Sequence, residues 1–141
     1  MLRPTDKALR IILEPAAHHA IAHAAREALP NETGGILVGH RAGRDIVVVD
    51  AFPVVDVSSQ PSRYVRDDVR ANRVLRDYQT ARRTTDLNGY VGEWHTHPAP
   101  QPPSGMDMSA IRATAKSAGG SIAMVICIPG DPCDFQGVVA E

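Results

Sequence analysis

Apolar and polar positions change their period several times along the chain, and each change marks an element. Residues 8–14 (ALRIILE) form a short β-type run, and Pro15 follows in a place suited to the first turn of a helix. Over residues 16–29, Ala17, Ile21, Ala24 and Ala28 recur at helical spacing, and Pro30 ends the run. Residues 36–38 are the centre of a strand entered through Gly34-Gly35, which lets another backbone or a ligand approach closely. Residues 45–55 (DIVVVDAFPVV) are a second β run, and with Gly43-Arg44 between them the two read as a hairpin. Beyond the polar segment 57–62, residues 64–83 read as a second helix with Val65, Val69, Asn72, Leu75 and Tyr78 inward. Residues 90–97 form the central strand, where alternation puts Val91, Glu93, His95 and His97 on one face. Residues 98–103 (PAPQPP) hold four prolines, which stiffen the path. Ser104 to Asp107 opens a helix that runs to about Ala118, with Met108, Ile111, Ala115 and Ala118 inward, and Gly119-Gly120 stops it. Residues 121–128 (SIAMVICI) are almost continuously apolar, as in a strand buried on both faces. A turn at 129–132 leads to a last strand over 133–140. The order β-α-β-β-α-β-α-β-β predicts an α/β fold, a mixed sheet flanked by helices.

Composition narrows the picture little. A chain of 141 residues with 43% hydrophobic residues and no visible repeat or linker reads as one domain, 1–141. A net charge of -1 gives no argument for nucleic acid or an anionic membrane as partner. No apolar run resembles a signal peptide or a membrane span, so a cytoplasmic protein is expected. Cys127 and Cys133 read as small core residues, neighbours across the last hairpin, in a reducing compartment. Seven arginines lie between Arg63 and Arg83, and Arg66, Arg70 and Arg73 share a helix face. That face reads first as a solvated surface with local ion pairs. A docking face for an acidic partner is the sharper alternative. Nucleic acid is disfavoured there, because no aromatics are interleaved for stacking.

The chemistry concentrates in Gly92-Glu93-Trp94-His95-Thr96-His97-Pro98. Two histidines one residue apart on a strand share a face at about 7 Å along the chain, so both rings can turn toward one ion. Asp107, ten residues after His97, offers a carboxylate from beyond the proline-rich loop. Three such ligands with an open fourth position describe a catalytic zinc site. Zinc lowers the pKa of its bound water from 15.7 to about 7, and a nearby carboxylate could then move the proton. Glu32 and Glu93 are the candidates for that base. Ser104 and Asp107 also form a Ser-x-x-Asp capping box, and the two roles are compatible: the cap places Asp107, while the Ser104 hydroxyl can donate to a developing oxyanion. His19 and His23 are i,i+4 neighbours without an evident acidic or thiol partner and read as a solvated pair.

In their order these residues resemble the JAMM (MPN-plus, Mov34/JAB) zinc metalloproteases: Glu32 in ETGGILVG, then His95-Thr96-His97-Pro98, then Ser104-Gly105-Met106-Asp107. The resemblance spans nearly the whole chain. It implies a cytidine-deaminase-like fold, one Zn²⁺ per chain held by His95, His97 and Asp107, Glu32 as general base and Ser104 as transition-state stabiliser. One departure is that six residues separate His97 from Ser104 where the family usually has seven. The GEWHTHP version resembles the bacterial single-domain members, which process or deconjugate ubiquitin-like or sulfur-carrier proteins, some of them in antiviral defence operons. The resemblance therefore implies a zinc metallopeptidase or isopeptidase with a protein partner and no nucleic acid or membrane, and leaves homo-oligomerisation open. Two other readings remain: a zinc hydrolase releasing cysteine or a small amine from a carrier protein, and a non-catalytic MPN-type scaffold.

Overall fold

A computed structural model describes residues 10–54, 68–81, 88–97, 105–118 and 120–140. The elements are β1 (Arg10–Leu13), α1 (Pro15–Ala28), β2 (Gly34–Ala42), β3 (Asp45–Pro53), α2 (Asp68–Ala81), β4 (Gly89–Thr96), α3 (Gly105–Ala118), β5 (Ile122–Ile128) and β6 (Asp134–Ala140). They follow in the order expected, and they build one six-stranded mixed sheet with the strand order β1-β3-β2-β4-β5-β6. β1 runs parallel to β3 and β4 parallel to β5, while the β2–β3, β2–β4 and β5–β6 pairs are antiparallel.

Helices cover both faces. On one face α1 lays Ala17, Ile21, Ala22 and Ala25 against Leu37, Ile46, Val48, Val91, Trp94, Val125 and Cys127. Its alanines let the helix sit close to the sheet, and a fully buried Ile21 contributes about 1.5–3 kcal/mol of transfer free energy. On the other face α3 packs Ile111 and Ala115 on Ile122, Met124 and Ile126, and α2 packs Ala71 on Ile36, Val38 and Val54. Every residue of β5 is buried, which is why its sequence shows no alternation.

The sheet curls toward α1. Ile11 of β1 reaches β6 at the opposite edge: a Cβ on Gly137 would stand 2.9 Å from its Cδ1. Ile11, Phe135 and Val139 all pack on the α1-side core. The short edge strand β1 is also pinned by Arg10, whose Nη2 lies 2.7 Å from Asp45 Oδ2. Donation by Arg10 holds the Asp45 carboxyl below its ordinary range, partial burial opposes that shift, and the pair raises Arg10 in turn.

Two expected faces are corrected. On α2 the inward stripe is Ala71, Val74, Leu75 and Tyr78, whereas Asn72 is exposed and Val69 is 70% exposed. With Leu75 and Tyr78 on the sheet, a period of 3.6 brings Ala71 and Val74 inward and turns Val69 outward. Val65 lies outside the described residues, as do the side chain of Ala118 and all of Arg66. On β4, Gly92 pairs with Leu37 and Tyr90 with Val38, so Val91 is an extra, bulged residue. The bulge sends Val91 to the α1 side with Trp94 and leaves Tyr90 on the side of Glu93.

Candidate functional site

The two histidines stand at the end of β4. His95 is held in register between Gly34 of β2 and Ile126 of β5. The backbone N–H of His97 donates to the Cys127 carbonyl at 3.0 Å, so the chain stays tied to β5 one residue past the strand. Their rings meet: Nε2 of His95 lies 3.2 Å from Nε2 of His97, with centroids 5.0 Å apart and planes at 47°. Two nitrogens bound tetrahedrally to one zinc at 2.0–2.1 Å would lie about 3.3 Å apart, so the pair fits that ion's spacing. His97 is only 8% exposed, which would shield a bound ion from bulk water.

Glu32 is buried, at 7% exposure. A glutamate in a loop beside two glycines would ordinarily be solvated. It is drawn in because the next residue, Thr33, is bonded to Thr96, the residue between the histidines. Thr96 N–H donates to the Thr33 carbonyl at 2.8 Å, and Thr33 N–H donates to the Thr96 hydroxyl at 2.9 Å. Glu32, His95 and His97 therefore gather at one end of the sheet, brought there by β2 and β4.

Glu93, the rival base, accepts a hydrogen bond from the Tyr90 hydroxyl at 2.8 Å. The bulge at Val91 makes this contact, since residues three apart in a regular strand point to opposite faces. Tyr90 was not legible as a site residue, although Gly92 inside the strand was a signal for a bulge. A cleft of about 360 Å³ opens beside them between α2 and α3, over Ile36, Leu75 and Tyr90.

Asp107 lies in the first turn of α3, but its side chain is outside the described residues, and so is all of Ser104. Among the described residues no group of three His, Cys, Asp or Glu side chains is placed to hold a metal ion. His19 and His23 stack in the open on α1, with centroids 6.4 Å apart and planes at 15°, while His18 sits 4.5 Å from the Phe135 ring. Of the arginines expected on one face of α2, Arg70 is half-buried and Arg73 exposed. Cys127 and Cys133 are free, buried thiols, and burial first, then the neighbouring Cys133, pushes Cys127 up to about 12. Such a thiol is inert. Among the described residues no helix is long and apolar enough to cross a membrane.

Comparison with known proteins adds a family and relatives. Residues 14–136 match the sequence model of a family described as prokaryotic homologues of the JAB domain. A protein of Vibrio cholerae serotype O1 named CD-NTase/cGAS isopeptidase is 30% identical over 104 residues, which are 70% of this chain and 63% of that protein. One of the same name from Enterobacter hormaechei subsp. hoffmannii is 32% identical over 117 residues, 79% of this chain and 62% of that protein. The chain thus spans less than two thirds of the length of these relatives. The solution structure of protein DSY2949 from Desulfitobacterium hafniense shares the fold with a TM-score of 0.64 at 21% identity, covering 93% of this chain and 92% of that one.

Proposed function

Because this chain belongs to the family of prokaryotic JAB-domain homologues, we propose that it is a zinc-dependent isopeptidase. It would hydrolyse the amide that joins the C-terminus of a ubiquitin-like or sulfur-carrier protein to a partner. The observation that carries this reading is the 3.2 Å approach of two histidine Nε2 atoms at the strand end to which buried Glu32 is tied. The name carried by both relatives, CD-NTase/cGAS isopeptidase, supports the same reaction class.

In this reading His95, His97 and Asp107 hold one Zn²⁺, which when bound supplies a Lewis acid and lowers the pKa of water toward 7. The chain's own groups do the rest. The Glu32 carboxylate takes a proton from the attacking water and returns it to the leaving amine nitrogen, so it ends the cycle unprotonated. The Ser104 hydroxyl donates to the oxygen that gains charge as the carbonyl carbon becomes tetrahedral. Burial of Glu32 and His97 keeps bulk water from competing for these contacts.

The test uses a lysine isopeptide conjugate of a ubiquitin-like protein ending in glycine. Purified protein should carry zinc at one per chain. Glu32→Gln should retain that zinc and lose about 10²–10⁴-fold in kcat. A Glu32→Gln variant that cleaves at the wild-type rate, or a wild-type protein without stoichiometric zinc, would overturn the mechanism.

A further inference from the structure

Three hydrogen bonds join just two side-by-side residues, Thr33 and Thr96. Beyond the bulge at Val91 the antiparallel ladder of β2 and β4 keeps one register from Leu37–Gly92 to Gly34–His95. At the next pair Thr96 N–H still donates to the Thr33 carbonyl at 2.8 Å. Thr33 N–H is captured at 2.9 Å by the Thr96 side-chain hydroxyl, which itself donates to the Thr33 carbonyl at 3.3 Å. A side chain thus takes over from the ladder at the residue after Glu32. Thr96 as a whole is 2% exposed, so water cannot substitute for its hydroxyl if it is removed.

We propose that Thr96 is a positioning residue: its buried hydroxyl locks Thr33, and through it fixes the Glu32 carboxylate relative to the His95–His97 pair. The histidines do not need this lock. His97 is held by the Cys127 carbonyl and His95 by its pairing with β5, on the other side of the strand from Thr33. Glu32 lies two residues before β2 begins at Gly34, and the bonds at the adjoining Thr33 tie this stretch to β4. The clamp therefore separates placing the base from placing the metal ligands. This inference rests on Glu32 acting as the base.

The experiment compares Thr96→Val, which keeps the shape without the hydroxyl, with Thr96→Ser, which keeps the hydroxyl. Each is also made in a Glu32→Gln background. A misplacement of the order of 1 Å can cost about 10²-fold in rate, so Thr96→Val should lose about that in kcat on the isopeptide conjugate, with little change in KM. Thr96→Ser should stay near wild type, and Thr96→Val added to Glu32→Gln should slow that variant no further. Zinc affinity and the Co²⁺ absorption spectrum should be unchanged in Thr96→Val, while backbone exchange at Thr33 should speed up and that at His97 should not. Equal loss in Thr96→Val and Thr96→Ser, additive loss with Glu32→Gln, or zinc affinity falling in step with kcat would overturn the proposal. If Thr96→Val fails to fold, the Thr96→Ser enzyme and its Thr33 exchange still decide it: slow turnover with protection intact at Thr33 would refute the lock. Wild-type activity in Glu32→Gln alone would instead remove the proposed base and leave the clamp a purely structural feature.

Discussion

At Gly35 a single added methyl would stand 1.8 Å from the Phe52 carbonyl oxygen of β3. No real Cβ tolerates that approach, and the obstacle is backbone. Across the ladder from Gly35 stands Trp94, whose indole N–H reaches the same Phe52 carbonyl at 3.3 Å. Gly35→Ala would push β2 and β3 apart and disturb that bond. Such overpacking costs typically about 1–3 kcal/mol, so a lower urea midpoint with unchanged m-value is expected. The glycine pair before the β2 core was legible as a place of close approach, and the approaching group proves to be backbone. Glu32 was legible only as a candidate, because burial of a loop glutamate depends on partners distant in sequence.

Elements follow from local periodicity where the period is clean, and α3 is the clearest case. Met108, Ile111 and Ala115 face the sheet as their spacing predicts. Ile111 is 1% exposed and, among the described residues, is the largest fully buried side chain of this helix. Ile111→Ala should destabilise the protein by about 2–5 kcal/mol in equilibrium denaturation, because the cavity it leaves is lined by β-strand residues that cannot collapse freely. On α2 the same reading missed the phase. Val69 is apolar and falls in a helical series, yet its 70% exposure shows that the large residues Leu75 and Tyr78, not the β-branched one, set the buried face. On β4 the alternation of Val91 with Glu93 was broken by one bulged residue. A bulge is a property of a strand pair and leaves only a faint trace, Gly92, in one strand.

For the molecule as a whole, the proposed zinc links both faces of the site to folding. A ligand that binds only the native state stabilises it by RT ln(1 + [L]/Kd), about 2.7 kcal/mol at one hundred times Kd. Zinc should therefore raise the Tm of apoprotein measured by scanning calorimetry. The rise should disappear in His95→Ala and persist in Glu32→Gln, since only the former removes a proposed ligand. An equal rise in His95→Ala would place the binding elsewhere, the exposed His19–His23 stack being the alternative to examine.

The sequence by itself determined the order of elements and named the candidate donors. Helical and strand periods are local, and His-x-His on a strand brings its rings to one side without help from the rest of the chain. Only the tertiary structure decided which neighbours those residues have. The β4 bulge turned Val91 toward α1 and set Tyr90 on Glu93. The Thr33–Thr96 bonds, spanning 63 residues of chain, buried Glu32 beside the histidine strand. Register, bulges and burial come from pairing between strands far apart in sequence, and each partner's own pattern of apolar and polar residues carries no record of them.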